Sequence, residues 1–220
     1  MKMLNLYAGI GGNRKLWQDV NVTAIEINPE IAKIYQDFFP DDNVIVADAH
    51  EYLLEHFAEY DFIWSSPPCP THSRMENIHY GQGYNVRYPD MNLYQEIILL
   101  KHRFKGKFCI ENVISYYEPL IKPIESDSHY FWTNFYFSTR KNSTRKINTG
   151  FKDTKNKFKG KREEMLKIDL SKYDITKSLK EKILNNCVEP EIGLHILNCA
   201  FNTFVSAPEY YKQETLLKEN

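Results

Sequence analysis

The sequence predicts a doubly wound α/β fold, on three observations. Short β-like runs alternate with helical stretches through the first hundred or so residues. Strand ends, rather than strand interiors, carry the glycines and polar groups, and apolar helical spacing returns late in the chain. Strands separated by helices imply right-handed crossovers and a mostly parallel sheet covered on both faces.

Taken in order, Met3–Tyr7 reads as the first strand, followed by a glycine-rich turn and a helical stretch over Asn13–Val20. Val22–Ile27 reads as the second strand and leads into a helix. There Asn28 is the cap and Pro29 sits in the first turn, where its missing N–H costs nothing. Asn43–Asp48 precedes the stretch AHEYLLEHFAEY. Asp61–Ser66 runs into Pro67-Pro68-Cys69-Pro70, a long irregular segment and the helix-like MNLYQEIILLKHRF. Lys107–Asn112 is the fifth strand. In such a sheet ligands bind outside the carboxyl ends of the strands. Five successive ends carry chemistry-bearing residues: Gly9, Gly11 and Gly12, then Glu26, Asp48, Cys69, and Glu111 with Asn112.

The chain of 220 residues supports one full core. Its 42% hydrophobic and 26% charged residues are ordinary for a soluble protein, and no apolar run approaches the roughly 20 residues of a membrane span. Glycines interrupt the apolar N-terminal stretch too early for a signal-peptide core, so a cytoplasmic location is expected. Cys69, Cys109, Cys187 and Cys199 form no C-x-x-C pair, which predicts reduced thiols. Cys69-Pro70-Thr71-His72 lacks a matching second half, so no metal is expected.

From Thr139 to Lys182 the texture changes. Fifteen Lys and Arg stand against six Asp and Glu, a local net charge of +9 in a chain of net charge −1. Such a patch attracts phosphate backbones. The expected organisation is a catalytic domain over 1–138, a small basic target-recognition lobe over 139–182, and a helical segment over 183–220 packing back on the catalytic domain. A monomer is expected.

Glycines in Tyr7-Ala8-Gly9-Ile10-Gly11-Gly12 let the backbone meet a ligand that a Cβ would exclude, although this is not the G-x-G-x-x-G pattern. Glu26 lies where an acid hydrogen-bonds a ribose, and Asp48 where a carboxylate accepts from an adenine amino group. Either acid, taken alone, is equally well read as a helix cap. Cys69 is held between prolines on both sides, which suits a presented nucleophile better than a buried structural thiol.

These stretches together resemble the cytosine-C5 DNA methyltransferases: LYAGIGG, AIEIN, VADA, SSPPCP, IENV and NNCVEPEIGL stand in that family's order. The resemblance implies a Rossmann-like methyltransferase fold that uses S-adenosylmethionine. It implies that Tyr7, Gly9, Gly11, Gly12, Glu26, Ile27, Asp48, Ala49, Pro67, Asn186 and Val188 bind this donor, although Asn185 stands where glycine is usual. It further implies that a cytosine is flipped out of double-stranded DNA, that Cys69 adds to C6, that Glu111 engages N3, and that Asn112 orients the site. Ser73, Arg74, Arg87, Arg140 and Arg145 are expected to contact nucleic acid, with His72 and His79 as further phosphate candidates and Gly81 and Gly83 as hinges. The family's Gln-x-Arg-x-Arg-like element is missing; Ser128-His129 stands nearest to it, and Arg140 or Arg145 are possible substitutes. The small lobe implies a short recognition site of about two to four base pairs, read by side chains such as Asn142 and Asn148. An RNA cytosine-5 methyltransferase and a catalytically silent nucleic-acid-binding homologue remain alternative readings. Restriction-modification, phage genome protection and regulation are all compatible roles.

Overall fold

A computed structural model describes residues 1–74, 85, 87–139, 161–166 and 168–202. Seven strands form one sheet: β1 (Lys2–Leu6), β2 (Asn21–Ile25), β3 (Asn43–Ile45), β4 (Phe62–Ser65), β5 (Lys107–Val113), β6 (Ile124–Ser126) and β7 (His129–Thr133). Their order is β3-β2-β1-β4-β5-β7-β6. The first five are parallel, and β7 and β6 continue the sheet antiparallel. The helices are α1 (Pro29–Phe38), α2 (Ala49–His56), α3 (Asn92–Arg103), α4 (Lys161–Leu166), α5 (Lys177–Asn186) and α6 (Pro190–Phe201), with a 3-10 turn over Phe57–Glu59.

The fold is the predicted doubly wound α/β class. On one face Leu4, Leu6, Ile63, Phe108 and Ile110 pack with Leu53 of α2 and Leu93, Ile97 and Leu100 of α3. On the other, Met3, Phe62, Trp64, Cys109 and Phe131 pack with Ile192, Ile196 and Leu197 of α6. Central strands buried on both sides are therefore continuously apolar, as parallel sheets require. The caps follow the sequence. Asn28 Oδ1 accepts from the N–H groups of Glu30 and Ile31, and Pro29 opens α1.

One local expectation is corrected, and two local features go beyond what was expected. Asn13–Val20 is not helical: the N–H groups of Arg14, Lys15 and Trp17 bond to carbonyls three residues back, at 3.0–3.3 Å. Tertiary bonds decide this. The Arg14 guanidinium binds Asp42 at 2.9 and 3.0 Å and the Trp17 carbonyl at 2.7 Å, while the Trp17 ring packs against Phe62 and Trp64. The C-terminal apolar stretch is two helices, because Pro190 starts α6 after an extended Cys187–Glu189. The β6–β7 hairpin was not foreseen. Its two-residue turn places Asp127 and Ser128 at φ 57° and 99°, a conformation that Asn-Gly would have signalled and Asp-Ser does not.

The described part of the expected lobe has no core of its own. Leu166, Ile168 and Leu170 pack with Ile31 and Ile34 of α1 and Ile183 and Leu184 of α5. Such a short polar segment gains its apolar burial only by borrowing the α/β core. Helix α5 runs across the expected 182/183 boundary.

Candidate active site

The strand ends converge at one edge of the sheet. After β1 the chain turns through Tyr7, Gly9 and Gly11, with φ of 53°, 54° and 77°. The three glycines serve different ends. A Cβ on Gly9 would meet nothing within 4 Å. On Gly11 it would lie 2.3 Å from a Phe39 ring carbon, and on Gly12 2.2 Å from the Cys187 sulfur and 2.4 Å from the Val188 carbonyl oxygen. Gly9 therefore borders open space, whereas Gly11 and Gly12 turn their α-carbons toward protein. Gly12 is also where the Cys187–Val188 segment folds back on the glycine turn.

Glu26 is 9% exposed, and each carboxylate oxygen accepts one backbone N–H, from Gly9 at 3.0 Å and from Asn28 at 2.9 Å. One lone pair per oxygen is left for a ligand hydroxyl. Beside it Ile27 is 65% exposed, an apolar surface at a strand end that is largely open. Asp48 is the N-cap of α2: Oδ1 accepts from the N–H groups of His50 and Glu51 at 2.8 and 3.1 Å, which leaves Oδ2 for another donor. Capping and ligand binding are thus compatible. Ala49 and Pro67 are buried, Val188 is half-buried and Asn186 is exposed. An open space at Gly9, a carboxylate with spare acceptors and an uncovered apolar side chain fit an adenosyl group carrying an amino-acid tail.

The loop after β4 carries Cys69, which is partly exposed. Its carbonyl accepts from the N–H groups of His72 and Ser73, both at 3.0 Å, so the chain turns tightly past the thiol. The turn is fastened from several sides. The N–H of Tyr116 bonds to the His72 carbonyl, Ser73 bridges to Ser115, and Thr71 Oγ1 accepts from the Asp90 N–H. His72 itself is 1% exposed, and its Nδ1 lies 2.6 Å from the Tyr117 hydroxyl. This corrects its expected phosphate role, since a side chain so buried reaches no backbone of nucleic acid.

Glu111 and Asn112 lie on β5, which pairs with β4 in parallel. Asn112 donates from Nδ2 to the Pro67 carbonyl at 3.0 Å and accepts the Val113 N–H on Oδ1 at 2.9 Å. It thereby ties the nucleophile loop to the strand that carries the carboxylate. Glu111 is 7% exposed, on the face opposite to Asn112. Burial raises the Cys69 thiol above its ordinary range, and the nearby Glu111 carboxylate raises it further.

His129 is brought to the same place. In the β5–β7 register Val113 faces His129 and Glu111 faces Phe131, so all four side chains share one face. The His129 Nε2 lies 3.8 Å from Glu111 Oε1. Arg74 and Arg87 are exposed and Ser73 is half-buried, whereas Arg140, Arg145, Asn142, Asn148, His79, Gly81 and Gly83 lie outside the described residues. Among the described residues no cluster of three His, Cys, Asp or Glu side chains could hold a metal, and no helix is long and apolar enough to cross a membrane.

A model of the C-5 cytosine-specific DNA methylases matches residues 1–118, which include Gly9, Glu26, Asp48, Cys69, Glu111 and Asn112. The chain belongs to this family. In C-5 cytosine methylases the methyl donor is S-adenosylmethionine, to which the glycine turn, Glu26 and Ile27 are suited. No curated protein matches the chain. Similar solved structures include a mutant of Spodoptera frugiperda DNMT2, 26% identical over 51% of this chain and 35% of that one, with a TM-score of 0.37. They also include the Entamoeba histolytica methyltransferase EhMeth, 16% identical over 64% of this chain and 56% of that one, with a TM-score of 0.41. The chain spans about a third and about half of these two proteins.

Sequence reasoning missed Glu96, whose side chain is fully buried at this edge. It accepts from the Tyr7 hydroxyl at 2.7 Å and the Ser65 hydroxyl at 2.7 Å, and lies 3.1 Å from His50 Nδ1. Its signal was present: Glu96 stands three residues after Leu93 and four before Leu100, on the apolar stripe of α3.

Proposed function

We propose that this methylase transfers a methyl group from S-adenosylmethionine to C5 of a cytosine flipped out of double-stranded DNA, through a covalent bond from Cys69 to C6. The observation that carries the proposal is geometric: a partly exposed, proline-flanked thiol lies on the loop that Asn112 ties to β5, the strand carrying the buried Glu111 carboxylate, next to a pocket wall suited to an adenosyl group.

This placement supplies the chemistry. With Glu111 ionised, its charge opposes formation of the Cys69 thiolate. Moving the thiol proton to Glu111 removes that opposition, so ionising the nucleophile and arming the acid are one event. Sulfur then bonds to C6, the C5–C6 π pair moves toward C5, and Glu111 returns its proton to N3. The adduct is neutral, and C5 has become nucleophilic. When bound, S-adenosylmethionine supplies the electrophilic methyl carbon that C5 acquires. Water then accepts the C5 proton, the C5–H electron pair restores the C5–C6 double bond, sulfur leaves with the S–C6 pair as thiolate, and the N3 proton returns through Glu111 to Cys69. Asn112 keeps sulfur and carboxyl in register by fixing the Pro67 carbonyl. His129 stands beside Glu111, with Nε2 3.8 Å from Oε1, where the resemblance leads one to expect an arginine, and its imidazole is the group proposed to donate toward the base.

Double-stranded DNA as substrate is proposed from the family's description together with the +9 segment at Thr139–Lys182. Methyl transfer from tritiated S-adenosylmethionine to duplex DNA, abolished in Cys69→Ala, is the expected result. Transfer to RNA alone would replace the substrate while keeping the chemistry. Donor binding without transfer to either would overturn the catalytic reading.

A further inference from the structure

One buried carboxylate at the catalytic edge has no part in the chemistry above. Glu96, on the apolar face of α3, is 1% exposed, and burying a charge there is costly unless it is bonded and paired. Both conditions hold. Its Oε1 accepts from the Tyr7 hydroxyl at 2.7 Å and its Oε2 from the Ser65 hydroxyl at 2.7 Å. His50 closes the arrangement, with Nδ1 3.1 Å from Glu96 Oε1 and Nε2 3.2 Å from Gln95 Oε1. Both ring nitrogens face carbonyl or carboxylate oxygens, an arrangement satisfied in full only when both carry hydrogen.

The three partners of Glu96 come from different elements. Tyr7 belongs to the glycine turn, at a left-handed backbone position. Ser65 ends β4, four residues before Cys69. His50 follows Asp48 in the first turn of α2. Tyr7 is kept as a hydroxyl donor because burial first, and Glu96 second, raise its titration far above any working pH.

We infer that Glu96, paired with His50, is a positioning residue for the methyl-donor pocket, joining the glycine turn, the end of the nucleophile strand and the Asp48 strand end into one wall. This rests on the reading that the pocket takes S-adenosylmethionine. Glu96 acts through Tyr7, Ser65 and His50 rather than by touching the donor.

The pairing also makes donor affinity depend on pH. The hydrogen bond to Glu96 is the leading cause that raises the His50 titration, partial burial opposes it, and the Glu96 charge adds to the rise. The groups facing His50 are Glu96 and Gln95 from α3 and Asp48 from its own helix cap; Tyr7 reaches it across Glu96. A raised imidazole contributes its pairing fully at low pH and loses it as pH rises through its folded-state titration. Above that point Glu96 is left buried without a cation, and the wall loosens.

Calorimetric titration of S-adenosylmethionine between pH 6 and 9 tests this in the wild type, Glu96→Gln, Glu96→Ala and His50→Gln. The donor's own amino group, with an ordinary pKa of about 8, titrates equally in all four and cancels in the comparison. Glu96→Gln can keep the Tyr7 and His50 bonds while removing the charge, so a misfolded Glu96→Ala does not decide the matter. The expected result is a wild-type affinity that falls by about fivefold more across this range than in His50→Gln or Glu96→Gln. Identical pH dependence in all folded variants overturns the inference. If the wild type binds no donor at any pH, the donor-site reading falls and this inference with it. Donor binding with variant-independent pH dependence removes the inference alone.

Discussion

Replacing Gly9 and Gly11 one at a time separates ligand space from packing space. Both residues have positive φ, of 54° and 77°, so an alanine at either carries backbone strain of about 1–2 kcal/mol. Beyond that the two differ. A Cβ on Gly9 meets nothing within 4 Å, whereas on Gly11 it meets Phe39 at 2.3 Å and Tyr35 at 2.8 Å. Those rings belong to a tilted pair with centroids 4.8 Å apart, and Tyr35 is fully buried and bonded to Asp42, so neither yields easily. Overpacking adds about 1–3 kcal/mol for Gly11→Ala. Thermal unfolding should fall by about 2–8 °C for Gly9→Ala and by roughly 4–20 °C for Gly11→Ala. Donor affinity should follow the other order. The methyl group of Gly9→Ala occupies the space assigned to S-adenosylmethionine and should weaken it by about tenfold or more. Folded Gly11→Ala should bind within a few-fold of the wild type, because its added methyl points away from that space. Scanning calorimetry and titration calorimetry on the same samples measure both. Wild-type donor affinity in Gly9→Ala would refute the placement of the pocket, whatever the stability.

Glu111→Gln should have opposite effects on two reactions of one sulfur. Methyl transfer should drop by about 100-fold or more, while alkylation of Cys69 by iodoacetamide should speed up at pH 7–8, because a charge that raises the thiol's titration is gone. Unchanged or slower alkylation would deny the coupling. Asn112→Ala should lower stability by about 1–3 kcal/mol in denaturant titrations and reduce turnover, since it removes the bond that holds the Pro67 carbonyl. Full activity in a folded Asn112→Ala would exclude its orienting role. His129→Arg should retain transfer within about tenfold and His129→Leu should not, with steady-state kinetics as the readout. Equal activity of the two would mean that the imidazole donates nothing.

The strands were legible because burial on both faces leaves a continuous apolar run, and their ends because glycines, prolines and acids cannot be hidden inside a parallel sheet. The same contrast made Cys69, Glu26 and Glu111 visible. Where tertiary bonds override local pattern, the sequence misled. Asn13–Val20 has helical spacing, yet the Arg14–Asp42 pair and the buried Trp17 ring fix a turn instead. His72 looked like a surface cation beside the nucleophile and is buried against Tyr117. Glu96 was overlooked because a single acid in a helix reads as solvated until its face is known. The His129–Glu111 approach depends on a hairpin register, set by two positive-φ residues without glycine, that periodicity does not encode.

The central claim is that the Cys69 sulfur adds to C6 of an extruded cytosine. Incubation with S-adenosylmethionine and duplex DNA containing 5-fluorocytosine tests it most directly, because C5 then carries no proton to lose and the adduct cannot resolve. Mass spectrometry should find one oligonucleotide bound per chain, attached at Cys69 and lost in Cys69→Ser. Turnover of normal DNA without such an adduct, or attachment at Cys109, Cys187 or Cys199, would contradict the account.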